Sequence, residues 1–262
     1  MSKSEARQSL KDKRRIVIKI GSALLAESGN VLSQRIADYC RQIAQLMGEG
    51  YEFLIVTSGA VAAGMGRLGL DARPTKVNEL QAIAAIGQMK LMQVYEEEIS
   101  RLDLISSMVL LTHDDFSDRR RYLNARSTLT RLMKLGAVPL INENDTVATD
   151  EIKFGDNDTL CALVTNLVDA DLQIILTDVD GLMDKDPNIF EDAERVVEAS
   201  ADDQSLELLS SDRTSSLGRG GMLSKVKAAR LASRSGADTA IASGRVENIL
   251  IRLLKREDLG TY

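Results

Sequence analysis

RIVIKIGS, Arg15 to Ser22, is an apolar run broken by one lysine and closed by a Gly-Ser pair. A strand buried on both faces reads this way, and such strands belong to parallel sheets covered by helices. Working outward, the next stretch places Ile36, Tyr39, Cys40, Ile43 and Leu46 on one helical face. Ser33 is the expected N-cap of that helix, and Gly48 and Gly50 its stop. Phe53 to Val56 predicts a second strand, running into TSGAVAAGMGRLG. A long helix is expected over Val77 to Leu102, a third strand over Ile105 to Leu111, and an amphipathic helix over Asp118 to Leu135. A fourth strand at Val138 to Ile141, a helix at Thr159 to Val168 and a strand within DLQIILTDVDGL follow. The last third is looser. It predicts a short strand at Glu194 to Ala199, a short helix at Asp202 to Leu209, a helix at Gly221 to Ser235, a strand at Ala237 to Ala242 and a final helix at Val246 to Lys255. This sustained alternation predicts an α/β fold with a mainly parallel sheet. Right-handed crossovers would bring the strand C-terminal ends, where ligands bind, to one edge.

Composition narrows the function. The 262 residues allow a substantial core. Trp is absent and aromatics are 3%, so that core rests on aliphatic side chains. A net charge of −6 argues against nucleic acid as the main partner, since phosphate backbones need a basic face. No apolar run reaches the roughly 18 residues of a membrane span, and the first residues lack a signal peptide's apolar centre. Residues 1–14 read as a polar, mobile leader. Cys40 and Cys161 lie far apart with no metal-binding spacing, which predicts free thiols in a reducing, cytoplasmic setting.

The densest polar stretch is VPLINENDTVATDEIKFGDNDTL, Val138 to Leu160. Glu143, Asp145, Asp150, Glu151, Asp156 and Asp158 repel one another unless lysines, a metal ion or a bound ammonium neutralise them. Asn142, Asn144 and Asn157 interleave with them and offer directed donors and acceptors, which suits a small zwitterion. TVATDEIKFG has strand-like alternation and is expected to fold back as a hairpin. The plainer alternative is a solvated acidic loop.

Other candidates follow the strands. Lys19 either snorkels or meets an anion, with Gly21 and Ser22 beside it as backbone donors. After strand two, Ser58-Gly59-Ala60 with Gly64, Gly66 and Gly69 allows a ligand close to the backbone, or serves tight helix packing. Thr177-Asp178 borders a nucleotide or caps a turn. Gly218, Arg219, Gly220, Gly221 and Met222 read as a mobile loop with Lys225 one helical turn on, a lid over phosphates or a disordered loop. His113 is the only histidine and stands among surface carboxylates, so no triad is available. Two lysines, an acidic-amide cluster, glycine loops and no histidine base fit phosphoryl transfer to an acceptor that is already anionic.

KIGSALL, VTSGAVAAG, LNARSTL, INENDTVATDEIKFGDND, TDVDGL and GRGGMLSK resemble, in order and spacing, the motifs of the glutamate 5-kinases of the amino acid kinase superfamily. The resemblance spans Arg15 to Tyr262. It implies the amino acid kinase fold, a three-layer α/β sandwich, as a single domain over residues 15–262. An N-lobe over about 15–168 would bind the amino acid, and a C-lobe over about 169–262 would bind ATP. It implies phosphorylation of the γ-carboxylate of L-glutamate with ATP and Mg²⁺ held mainly by the ATP phosphates, the first step of proline synthesis. By motif, Lys19, Lys225 and Asp158 would be catalytic, with Asp158 holding both lysines. Ser58, Asp145 and Asn157 would bind glutamate, Asp145 facing its ammonium. Lys19, Gly21, Ser22, Thr177, Asp178, Arg219, Gly220, Gly221, Met222, Leu223, Ser224 and Lys225 would contact ATP. Proline inhibition and a homodimer or homotetramer are also implied, with no nucleic acid or membrane partner. The chain reads as a form without the C-terminal PUA domain of many members. Two motif positions depart from the family: Ala23 stands where a hydroxyl is usual, and Arg219 where threonine is usual. The same fold with another carboxylate, carbamate or phosphate acceptor, and a non-catalytic amino acid sensor, are the competing readings.

Overall fold

The computed structural model describes residues 5–27, 30–148, 157–185, 190–207 and 221–262. Its strands are β1 (Arg15–Ile20), β2 (Ala26–Glu27), β3 (Asn30–Val31), β4 (Glu52–Val56), β5 (Ile105–Leu111), β6 (Ala137–Glu143), β7 (Leu172–Thr177) and β8 (Asp238–Ser243). Its helices are α1 (Glu5–Gln8), α2 (Ser22–Leu25), α3 (Ser33–Gly48), α4 (Ala60–Leu68), α5 (Val77–Ser100), α6 (Asp114–Ser117), α7 (Arg119–Lys134), α8 (Asn157–Leu167), α9 (Met222–Ser233) and α10 (Ile249–Leu254). Six strands form one parallel sheet in the order β5-β6-β4-β1-β7-β8, and β2 and β3 pair as a small antiparallel ladder.

The strand order explains the layers. The chain steps outward from β1 to β4 and then to β5, and the crossovers α3 and α5 pack on one face. It then reverses, through β6 to β7 and β8, and α7, α8 and α9 pack on the other. Right-handed crossovers require this change of face when the direction reverses. All six strands end on the same edge, as the sequence predicts.

Within β1 the two-residue period sorts the side chains. Ile16, Ile18 and Ile20 enter the core under α3, α5 and α10, and Val17 enters the core under α7 and α8. Lys19 shares the face of Val17. Full burial of each aliphatic residue is worth about 1.5–3 kcal/mol.

Some expectations need correcting. Ser33 is the first residue of α3, Leu32 is the N-cap position, and no side chain caps this end. Glu194 to Ala199 forms no strand of its own; it contributes an isolated bridge between Met183 and Arg195 and backbone bonds to Tyr262. The described part of the expected mobile leader is packed. Leu10 is 1% exposed within the main core. Arg7 is buried and donates to the carbonyls of Glu257, Leu259, Val197 and Gly260. A guanidinium with several donors satisfied by carbonyls tolerates burial, which a count of polar residues does not foresee. The expected hairpin lies outside the described residues from Thr149 to Asp156, and Asp145 to Val147 form a turn. Among the described residues no helix is long and apolar enough to cross a membrane. Cys40 and Cys161 are free and buried, as expected.

The contact between α4 and α5 decides the reading of Gly64. A Cβ on Gly64 would fall 2.0 Å from the Ile83 carbonyl oxygen, and one on Gly87 would fall 1.8 Å from that of Ala60. The two backbones therefore touch, and Gly64 serves helix packing. Gly87→Ala is expected to lose about 3 kcal/mol or more in urea unfolding, because backbone sits where the methyl must go. A loss under about 1 kcal/mol would show that the helices can separate freely.

Candidate active site

Lys19, near the end of β1, is 5% exposed, and Lys225, in the first turn of α9, is 4% exposed. Neither snorkels. Both ammonium groups meet Asp158, the second residue of α8 and fully buried. Lys19 Nζ lies 2.7 Å from Asp158 Oδ1, and Lys225 Nζ donates to Oδ2 at 3.0 Å. Ser224 Oγ is 2.7 Å from Asp158 Oδ2 and 2.7 Å from the Gly221 carbonyl oxygen. Burial alone would push the Asp158 carboxyl up, but the two lysine charges and the hydrogen bonds from Lys19 and Ser224 bring it below its ordinary value. Asp158 is therefore an anion and a poor proton acceptor. Two cations around one carboxylate leave the triad with one net positive charge.

The remaining expected nucleotide contacts cluster beside this triad. Gly221 is the N-cap position of α9, Met222 is buried, and Leu223 and Ser224 continue the first turn. Thr177 ends β7; its hydroxyl donates to Asp178 Oδ1 at 3.2 Å, and its carbonyl accepts from the Gly244 N–H beyond β8 at 2.8 Å. Asp178 is exposed. Arg219 and Gly220 lie outside the described residues. Gly21 departs from expectation: its N–H donates to the Leu176 carbonyl at 3.2 Å, extending the β1–β7 ladder by one residue. That proton is taken, and Ser22, exposed at the start of α2, stands at the position expected to donate to phosphate. Ala23 is exposed beside it.

A second group lies beyond β4 and β6. Gly59 adopts φ +101°, which only glycine takes without strain, and starts α4. Ser58, half-buried, precedes it. Asn157 opens α8 immediately before Asp158; its Nδ2 donates to the Thr57 carbonyl and, at 2.7 Å, to Asn142 Oδ1. Asn142 Nδ2 in turn donates to Gln88 Oε1 at 2.7 Å. Asp145 is half-buried in the turn that follows β6, where the Asn144 N–H donates to the Leu111 carbonyl at 2.8 Å. Lys19, Lys225, Asp158, Ser224 and Asn157 are thus joined directly or through one residue, and Ser58, Asp145 and Thr177 stand at the same sheet edge. Sequence reasoning assigned no role to Gln88 and gave Ser224 only to the nucleotide. Gln88 lies 54 residues from Asn142, so no local pattern announces it. His113 is exposed at the start of α6, beyond β5.

Two buried lysines around one carboxylate at the C-terminal edge of a parallel sheet suit the binding of an anion such as a phosphoryl group. The family model of the amino acid kinase family matches residues 14–243, and the chain belongs to that family. Within it the chain falls among the glutamate 5-kinases. The glutamate 5-kinase of Marinomonas sp. (strain MWYL1) is 56% identical over 98% of this chain and 69% of its own length. That of Stutzerimonas stutzeri is 55% identical over 97% and 69%, and that of Chromohalobacter salexigens is 56% identical over 99% and 69%. The fold recurs in isopentenyl phosphate kinase of T. acidophilum, with TM-score 0.65, 16% identity, and 94% of this chain and 98% of that one covered. It recurs also in UMP kinase of Ureaplasma parvum, with TM-score 0.63, 17% identity, and 95% and 97% covered.

Asp158→Asn is expected to cost about 3–5 kcal/mol at pH 7, because it leaves two buried ammonium groups facing a neutral amide. Since folding lowers the Asp158 value, its contribution is full above the unfolded carboxyl value of about 4 and fades as pH falls through the folded value. Urea melts of wild type and variant should therefore converge in acid. A gap that widens on acidification contradicts the ion-pair account.

Proposed function

We propose that the protein transfers the γ-phosphoryl group of MgATP to the γ-carboxylate of L-glutamate, giving L-glutamyl 5-phosphate and ADP, the first step of proline biosynthesis. The observation that carries this reading is the net positive charge of the buried Lys19–Asp158–Lys225 triad. An oxygen of the glutamate γ-carboxylate attacks the γ-phosphorus, and the bond from that phosphorus to the bridging oxygen of ADP breaks. The acceptor carries no proton to remove, so no general base is required, in keeping with an exposed His113 and a carboxylate committed to two lysines. Lys19 and Lys225 neutralise the phosphoryl oxygens as charge spreads over them. Asp158 holds both ammonium groups in place. Mg²⁺ travels on the nucleotide phosphates as part of the substrate.

Asp145 and the Asn157 side-chain oxygen Oδ1 face the α-ammonium, and Ser58 with the first-turn N–H groups of α4 supports the α-carboxylate. Ser22, Thr177, Asp178 and the first turn of α9 hold ATP, with Arg219 and Gly220 preceding it in sequence. Proline, which carries a cationic nitrogen beside a carboxylate, competes for the glutamate subsite. The protein assembles as a homo-oligomer, a reading supported by the open edge strand β5, where Ile105 is 64% and Met108 56% exposed. It works in the cytoplasm, in keeping with its two free, buried thiols.

Hydroxylamine trapping of the acyl phosphate, with ATP, Mg²⁺ and L-glutamate, tests the assignment, and N-acetylglutamate and aspartate serve as parallel acceptors. Product is expected with glutamate, and added proline should raise the glutamate concentration for half-saturation. Lys19→Met and Lys225→Met should each lower kcat by about 10²–10³-fold with little change in KM for glutamate. Product from another acceptor alone overturns the glutamate assignment, and no product from any acceptor supports a sensor.

A further inference from the structure

Asn157 can present its amide to a ligand in two ways, and the surrounding hydrogen bonds allow only one. The Thr57 carbonyl oxygen accepts and never donates, so the group facing it is Asn157 Nδ2. The same nitrogen meets Asn142 Oδ1 at 2.7 Å, which uses its second proton. Asn142 must then turn its own Nδ2 outward, where Gln88 Oε1 accepts it at 2.7 Å. The polarity runs unbroken from a backbone carbonyl on one side of the sheet edge to a side chain on α5. Gln88 cannot drift, because Gly87 beside it lies backbone to backbone against Ala60. Both protons of Asn157 are consumed within the protein, and its Oδ1 alone is left for a ligand. That oxygen accepts, so it matches an ammonium and mismatches a carboxylate.

We propose that Gln88 is a positioning residue that selects acceptors with a free ammonium group, acting through the Gln88–Asn142–Asn157 relay. The inference rests on the glutamate-kinase reading of the site. Without Gln88 Oε1, Asn142 has no partner for its outward Nδ2 and is free to reverse. A reversed Asn142 turns a donor toward Asn157 Nδ2 and dislodges it. Because Asn157 precedes Asp158, the relay also ties the acceptor's ammonium to the lysine pair.

Gln88→Met is the informative change. Among the described residues Gln88 Nε2 is buried without a hydrogen-bond partner, so methionine gives up only the Oε1 acceptor at similar length. KM for L-glutamate is expected to rise about tenfold. The Ki of glutarate, which lacks the ammonium, should stay within about twofold, as should KM for ATP. Gln88→Glu keeps an acceptor and should hold both glutamate and glutarate within about threefold of wild type. An unchanged KM for glutamate in Gln88→Met, or an equal weakening of glutamate and glutarate, overturns the proposal. So does a Gln88→Glu protein that has lost glutamate affinity, which keeps the test open even if Gln88→Met does not fold. Wild-type protein that makes no acyl phosphate from glutamate would instead refute the functional reading beneath it.

Discussion

The ion triad Lys19–Asp158–Lys225 is the constraint around which the fold is arranged. Two ammonium groups removed from water are costly unless a carboxylate meets them at close range. Here the cations come from β1 and α9 and the anion from α8, with Asp158 more than a hundred residues after Lys19 and 67 before Lys225. The reversal of direction after β5 puts α8 and α9 on the face to which alternation turns Lys19. Burial keeps the fields of both lysines strong, and the surplus positive charge is left for an anion.

The acceptor side is built differently. It relies on backbone groups and amides, with Gly59 and the contact between α4 and α5 fixing their positions. Amides carry no titratable charge, so their orientation has to be imposed. The Thr57 carbonyl imposes it at one end of the relay and Gln88 completes it at the other. Asn157 and Asp158 are adjacent, and a displacement on the acceptor side is therefore transmitted to the lysine pair.

How legible was this in the sequence? The strands of the sheet were, because long apolar runs leave little choice in a parallel sheet; β5 matches its expected ends, Ile105 and Leu111. Lys19 was legible as an anomaly, and its partners only through the resemblance of the motifs. The docking of the N-terminal segment was not, since it depends on one leucine and on carbonyls some 190 to 253 residues away. Gln88 was hidden for the same reason: nothing near it in the chain marks it as different from any other polar helix residue. The partner of the Gly21 N–H, the Leu176 carbonyl, appears only when β1 and β7 are set in register.

In the proposed reaction the two lysines stabilise the transferring phosphoryl group more than the bound nucleotide. Titration of ADP and aluminium fluoride in the presence of glutamate, which mimics that group in flight, measures this directly. Lys19→Met is expected to weaken the analogue complex by about 10²-fold while weakening ADP alone by less than about threefold. Equal losses for the two ligands would contradict it and reduce the triad to a site for nucleotide binding.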